Sequence, residues 1–171
     1  MNKLAIVGSG GHGRCCLDIA RAMGKYDEIC FVDDANVGTV VNGTKIIGAI
    51  SDIESLEKKE YEICVAIGNN EVRKQIMQNL QKKGFSFATL ISPNSVVSDY
   101  ATVKEGTVIY PGAIVEPNSY IGVGCVITAH VAVNHDAVVE NYAIIYYNAV
   151  IRPNSRVSEL AKIETNSVIE V

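Results

Sequence analysis

From Ile91 to Ile169 every sixth residue is Ile or Val: Ile91, Val97, Val103, Ile109, Val115, Ile121, Ile127, Val133, Val139, Ile145, Ile151, Val157, Ile163 and Ile169. Composition alone does not produce such a run, and neither a helix nor an amphipathic strand asks for period six. A chain coiled into a triangular prism does, because each six-residue face turns one branched apolar residue inward. The residue four after each of these is mostly small, as at Ser95, Ala101, Thr107, Ala113, Ser119, Cys125, Ala137 and Ala143, which suits tight corners between faces. Three hexads make one coil, so the run gives between four and five coils, and stacking them buries the Ile and Val columns as a core that no single coil buries alone. A β-sandwich, the alternative for a β-rich segment, places its turn signals at uneven spacing. Residues 89–171 therefore read as a hexapeptide-repeat parallel β-helix.

Residues 1–88 follow another pattern. Buried-strand runs at Lys3 to Val7, Glu28 to Val32 and Glu62 to Ile67 alternate with helical stretches near Arg14 to Met23 and Glu71 to Lys83. This β-α-β order implies a small parallel sheet, an α/β Rossmann-like half domain, whose ligands sit beyond the carboxyl ends of the strands. Two polar clusters fall there. Gly8-Ser9-Gly10-Gly11-His12-Gly13 matches GxGxxG between strand and helix, where glycines admit close backbone approach and a helix start offers free N–H groups to a phosphate. Asp33 and Asp34 close the second strand, placed to take ribose hydroxyls. The pattern points to a nucleotide, with a plain tight turn as the alternative. Roughly ninety residues hold only one mononucleotide-binding half, which argues against NAD. The second cluster is Gly68-Asn69-Asn70, where an Asn either caps the following helix or touches a base or sugar. Arg73 reads as a solvated helix-face residue, with a phosphate contact as the alternative.

The net charge of −4, with 15 basic residues scattered along the chain, excludes a nucleic-acid platform, which needs clustered Lys and Arg. Five cysteines, an odd number without CxxC spacing, read as buried free thiols in a reducing cytoplasm. No leader pattern and no apolar run of membrane-spanning length is present, so a cytoplasmic chain without membrane insertion is expected. HxH and HExxH spacings are absent and no metal is expected; a G-x-S-x-G elbow is absent too.

The histidines are His12, His130 and His135. His130 and His135 lie in consecutive hexads and neither holds the inward position, so each imidazole faces a groove or a neighbour. Acyl transfer from a thioester needs a base to take the acceptor's proton, and neutral His titrates in the right range. Asp136 follows His135 and can orient its ring if a corner turns the two side chains together. A surface His without chemistry is the alternative.

Gly-Ser-Gly-Gly-His-Gly (8–13), Val-Asp-Asp (32–34), Ala-Ile-Gly-Asn-Asn-Glu-Val-Arg (66–73), Leu-Ile-Ser-Pro (90–93) and Val-Asn-His-Asp (133–136), in this order on hexapeptide repeats, resemble the NeuD-like sugar acetyltransferases, which include sialic acid O-acetyltransferase and the bacillosamine-pathway N-acetyltransferase. The resemblance implies a left-handed β-helix, a homotrimer, acetyl-CoA bound between neighbouring β-helices, and a pocket for a UDP-linked or other activated sugar in the N-terminal domain. Carried over by position, His135 is the general base and Asp136 its acidic neighbour. Gly10, Gly11, His12 and Gly13 lie at the sugar nucleotide, Asp33 and Asp34 match the acidic pair that meets the uridine, and Gly68 and Asn69 match the nucleotide-binding turn. The amino or hydroxyl group of the sugar, deprotonated by His135, would attack the thioester carbonyl directly.

The chain also departs from the family. A second His roughly half a coil beyond the base is replaced by Ile144, and Tyr146 to Pro153 bring bulk where the CoA channel calls for small residues. Here Asn148 and Arg152 are the candidates for CoA contacts, Arg152 through a CoA phosphate. The sequence stops at Val171 inside a hexad where relatives run on for roughly another coil. A truncated or degenerate homologue that binds a nucleotide sugar without acetyl transfer is thus the competing expectation, and an NAD-dependent redox domain on a structural β-helix a third.

Overall fold

The apolar runs read as strands pair as the β-α-β order requires. The computed structural model describes residues 2–170, in two compact units that part between Ala88 and Thr89. The first unit runs β1 (Lys3–Val7), α1 (Gly11–Met23), β2 (Glu28–Val32), β3 (Val40–Val41), β4 (Thr44–Gly48), a 3-10 turn (Ile50–Ser55), β5 (Tyr61–Val65), α2 (Asn70–Lys82) and β6 (Ser86–Phe87). Its sheet has the order β3-β4-β2-β1-β5-β6. Strand β1 is flanked in parallel by β2 and β5, with Lys3 opposite both Glu28 and Tyr61. Leu4 to Val7 are completely buried, and α1 turns Cys16, Leu17, Ile19 and Ala20 inward at helical spacing.

Three details correct the sequence expectation. The sheet is mixed and six-stranded, because β3 and β4 form an antiparallel hairpin. Its turn is Asn42-Gly43, both at positive φ (46° and 74°), the two-residue pattern whose twist matches a hairpin. Helix α1 begins at Gly11, not near Arg14, since Arg14 N–H already donates to Gly10 O at 2.9 Å. Strand β5 ends at Val65, which leaves Ala66 to Asn69 as the connection into α2.

The second unit carries fourteen two-residue strands, one per hexad, from Leu90–Ile91 to Val168–Ile169. They stack into two five-stranded sheets and one four-stranded sheet, all parallel, each strand pairing with the one a full coil away, as Val108 with Val126. This is the left-handed parallel β-helix expected. Its core is the hexad column itself: Ile109, Ile121, Ile127, Val133, Val139, Ile145 and Ile151 are fully buried. The small residues do not form the corners. From Gly106 onward the corner is the residue before the small one, held at positive φ by glycine at 106, 112 and 124, by Asn118, Asp136, Asn148, Asn154 and Asn166, and by His130, Tyr142 and Leu160. Asn, Asp and Gly tolerate this left-handed conformation best, which explains why they hold most of these places. The small residue that follows points inward and is buried, as at Ala113, Cys125, Ala137 and Ala149. A larger side chain would crowd the Ile and Val column there.

Candidate functional site

In the first unit the polar clusters gather beyond the carboxyl ends of three adjacent strands, β2, β1 and β5. Asp33 is a strut for the glycine loop. Its Oδ2 accepts from Ser9 N–H and from the Ser9 hydroxyl, both at 2.7 Å, and its Oδ1 accepts from Ala35 N–H at 2.9 Å. Partial burial pushes its carboxyl up, but these hydrogen bonds outweigh burial and leave it below the ordinary carboxylate value. Asp34 Oδ1 accepts from Ile50 N–H at 2.9 Å. Gly13 is required by packing, since a Cβ there would lie 2.0 Å from Gly8 O. Gly10, Gly11 and Gly68 instead face open space, with nothing within 4 Å of an added Cβ. The first-turn N–H groups of α1 lack intrahelical acceptors, as at any helix start, and border that open approach.

His12 sits in this first turn, half-buried, with the Cys16 thiol 3.7 Å from its Nδ1. Burial, then the Arg73 charge, pushes its pKa down to about 4, so the ring is neutral at pH 7. Arg73 is not the solvated residue expected. It is 1% exposed, its guanidinium donating to Ile67 O at 2.8 Å and to Asn70 Oδ1 at 3.1 Å, and so pins the turn that carries Gly68. Asn69 caps α2, its Oδ1 accepting from Val72 N–H at 3.1 Å.

In the second unit His135 and Asp136 occupy one corner, after the strand Ala132–Val133. His135 is exposed, and its Nδ1 lies 2.8 Å from Asp136 Oδ2. The corner required by the sequence reading is the positive φ of Asp136 (60°), which swings adjacent side chains together. A groove of about 550 Å³ opens beside the pair, lined by Glu116, Asn134, His135, Val150, Arg152, Pro153 and Val168. An Nδ1–H donated to Asp136 leaves Nε2 as a proton acceptor, so the arrangement suits a general base on an open groove. Arg152 lines it, with Nη1 donating to Glu170 Oε1 at 2.9 Å. Asn148 does not; it holds the preceding corner and donates to Asn166 Oδ1 at 3.1 Å. Tyr146 and Tyr147 also stand at that preceding corner and do not line the groove. His130 lies over Gly112, where a Cβ would come 2.7 Å from its Nδ1. The sequence reading missed Glu116, whose carboxylate meets the His135 backbone; a count of one coil back from this corner would have found it. Among the described residues no group of three His, Cys, Asp or Glu side chains is placed to hold a metal ion, and no helix is long and apolar enough to cross a membrane.

Residues 3–80 match the family described as the PglD N-terminal domain. The chain is 36% identical to the acetyltransferase domain of PglB from Neisseria gonorrhoeae, solved in complex with acetyl coenzyme A, over 98% of this chain and 82% of that one, with a TM-score of 0.95. The chain belongs to the NeuD-like sugar acetyltransferase family. Curated relatives of the family include GDP-perosamine N-acetyltransferase of Escherichia coli O157:H7, 29% identical over 80% of this chain, and UDP-N-acetylbacillosamine N-acetyltransferase of Bacillus subtilis strain 168, 34% identical over 64%. The chain spans 63% and 51% of the length of these two relatives.

Proposed function

We propose that this chain transfers the acetyl group of acetyl-CoA to an amino or hydroxyl group of a nucleotide-linked sugar, in the making of a surface-glycan precursor. The observation that carries the reading is the His135–Asp136 pair on an open groove, in a member of a family of sugar acetyltransferases. The relatives named for N-acetyl transfer make an amine the first acceptor to test.

Residues 1–88 hold the nucleotide end of the substrate and residues 89–171 carry out the transfer. The open approach at Gly10, Gly11 and Gly68 and the start of α1 supply backbone N–H groups for a diphosphate. Neutral His12 adds a hydrogen-bonding group without charge. Gly13, Asp33 and Asn69 act on the ligand through the loops they shape, while Asp34 stands exposed at the same sheet edge. His135 Nε2 takes the acceptor's proton as its nitrogen or oxygen attacks the thioester carbonyl, and Asp136 steadies the imidazolium that results. The thiolate of CoA then leaves. Val150 and Val168 offer the groove an apolar wall for a pantetheine arm, and Arg152 a cation for a CoA phosphate.

The column Val96, Ile114, Ala132, Val150 and Val168 faces outward on one sheet, and Val96 is 66% exposed. Three copies packed around such columns make the homotrimer. Four buried thiols and one half-buried one suit the reducing cytoplasm.

The test is direct. Purified protein is incubated with acetyl-CoA and a UDP-linked 4-amino sugar, or with GDP-perosamine, while free CoA thiol and the acetylated sugar are followed by thiol reagent and mass spectrometry. Sugar-dependent CoA release supports the reading. Calorimetric binding of a nucleotide sugar, with no binding of acetyl-CoA and no product from any amino or hydroxyl acceptor, would sink it.

A further inference from the structure

We propose that Glu116 is a positioning residue for acetyl transfer, acting through the backbone of His135. The inference rests on the reading of His135 as the base. Glu116 lies at the corner one coil below, and its Oε2 accepts the backbone N–H of His135 at 2.8 Å, within the range of a charge-assisted hydrogen bond. Both residues line the same groove.

The neighbouring coils show why this bond is particular to the site. At the second place of this corner, where His135 stands, the coils below and above carry Pro117 and Pro153. Proline has no N–H and fixes its own φ, so those two corners are rigid without a side-chain partner. Replacing proline by a residue with a useful imidazole frees the backbone torsion and introduces a donor. Solvent alone could satisfy that donor, because His135 is exposed. A carboxylate anchored on the coil below does more, since it fixes the torsion that proline fixes elsewhere and so fixes where the ring projects. An equivalent bridge joins Glu140 Oε2 to Glu159 N–H at 3.0 Å, again at the second place of a corner one coil up. The same bridge thus holds two non-proline corners, and at His135 it holds a group that must meet a reacting atom. Asp136 orients the ring from the side chain, Glu116 from the main chain.

E116A and E116Q are compared with the wild type and with H135A in the sugar acetylation assay. Glutamine keeps an oxygen that accepts the N–H. E116A is expected to lower kcat by ~10- to 100-fold, the cost of a small displacement of a catalytic group, with KM for both substrates within ~2-fold of wild type because uniform binding is untouched. E116Q should recover most of the rate. Hydrogen–deuterium exchange of the peptide that contains His135 should quicken in E116A and not in E116Q, a readout that does not pass through activity. Normal kcat in E116A, a loss in E116Q equal to that in E116A, or unchanged exchange overturns the inference. Normal turnover in H135A overturns instead the assignment of the base.

Discussion

Asp136 follows His135 directly in sequence, yet its Oδ2 lies 2.8 Å from His135 Nδ1. On a strand these side chains would point to opposite faces. They meet because Asp136 takes the left-handed corner conformation, at the place that Asn118 and Asn154 hold in the coils below and above. The corner geometry of the β-helix therefore brings the two adjacent side chains together.

If this pair is the acid–base device, H135A should lower kcat by ~100-fold or more and leave nucleotide-sugar binding unchanged. D136N keeps a residue that tolerates the corner and an oxygen that accepts from Nδ1, but removes the charge that stabilises the imidazolium. It should cost about tenfold in kcat. Steady-state kinetics on both variants checks this. Wild-type kcat in D136N removes Asp136 from the mechanism.

The β-helix was legible because the period-six column is a direct record of packing: Ile109 to Ile151 are buried where the count places them. What the count cannot show is the direction of side chains at the corners. Small residues suit a corner by size, but the turn itself lies one residue earlier, mostly at Asn, Asp and Gly and also at His130, Tyr142 and Leu160. The hairpin at Asn42-Gly43 was legible in principle and overlooked, because Val40 and Val41 make a strand of only two residues. Arg73 was misread for a different reason. A long cationic side chain on a helix is normally solvated, and its burial depends on Ile67 O in the turn before the helix and on Asn70 Oδ1 at the helix's first residue.

The glycines of the first loop separate packing from binding. Gly13→Ala places a methyl group 2.0 Å from Gly8 O, where the contact is backbone and cannot move aside cheaply. It should lower stability by ~2 kcal/mol or more, as overpacking does, and disrupt the loop. Gly10→Ala meets nothing within 4 Å and sits at φ −69°, so the fold should be indifferent to it. Its methyl group would nonetheless enter the space through which a phosphate approaches. Thermal melts and nucleotide-sugar calorimetry on both variants should show Gly13→Ala failing in each measurement and Gly10→Ala failing only in binding. Wild-type affinity in Gly10→Ala would mean the diphosphate lies elsewhere.

His12 makes stability depend on pH. Its folded pKa of about 4 lies below the ordinary value of 6.5, so on acidification the unfolded chain takes up this proton first. Neutral His12 then stabilises the fold fully above pH 6.5, and that contribution is lost as pH falls toward 4. Between neutral pH and pH about 5 the loss should be at most ~2 kcal/mol. His12→Gln removes the proton site, so its urea midpoint should change less over this interval than that of the wild type. Equal pH dependence in the two proteins would place the sensitivity on other groups.

The outward column of the β-helix bears on the assembly. Single exposed apolar residues are ordinary on a protein surface, but Val96, Ile114 and Val168 are 66%, 44% and 54% exposed and stand on the same sheet face, with Ala132 and Val150 between them. A stripe of this kind marks a surface that is covered in the working molecule. Sedimentation equilibrium of the wild type should give the mass of three chains. Ile114→Lys should dissociate the assembly, because a lysine buried at a subunit contact would lose its hydration without a partner. The lysine itself faces solvent in the free chain, so circular dichroism should show the fold intact. A wild-type monomer, or a lysine variant that still sediments as three chains, would show that this face is not the contact.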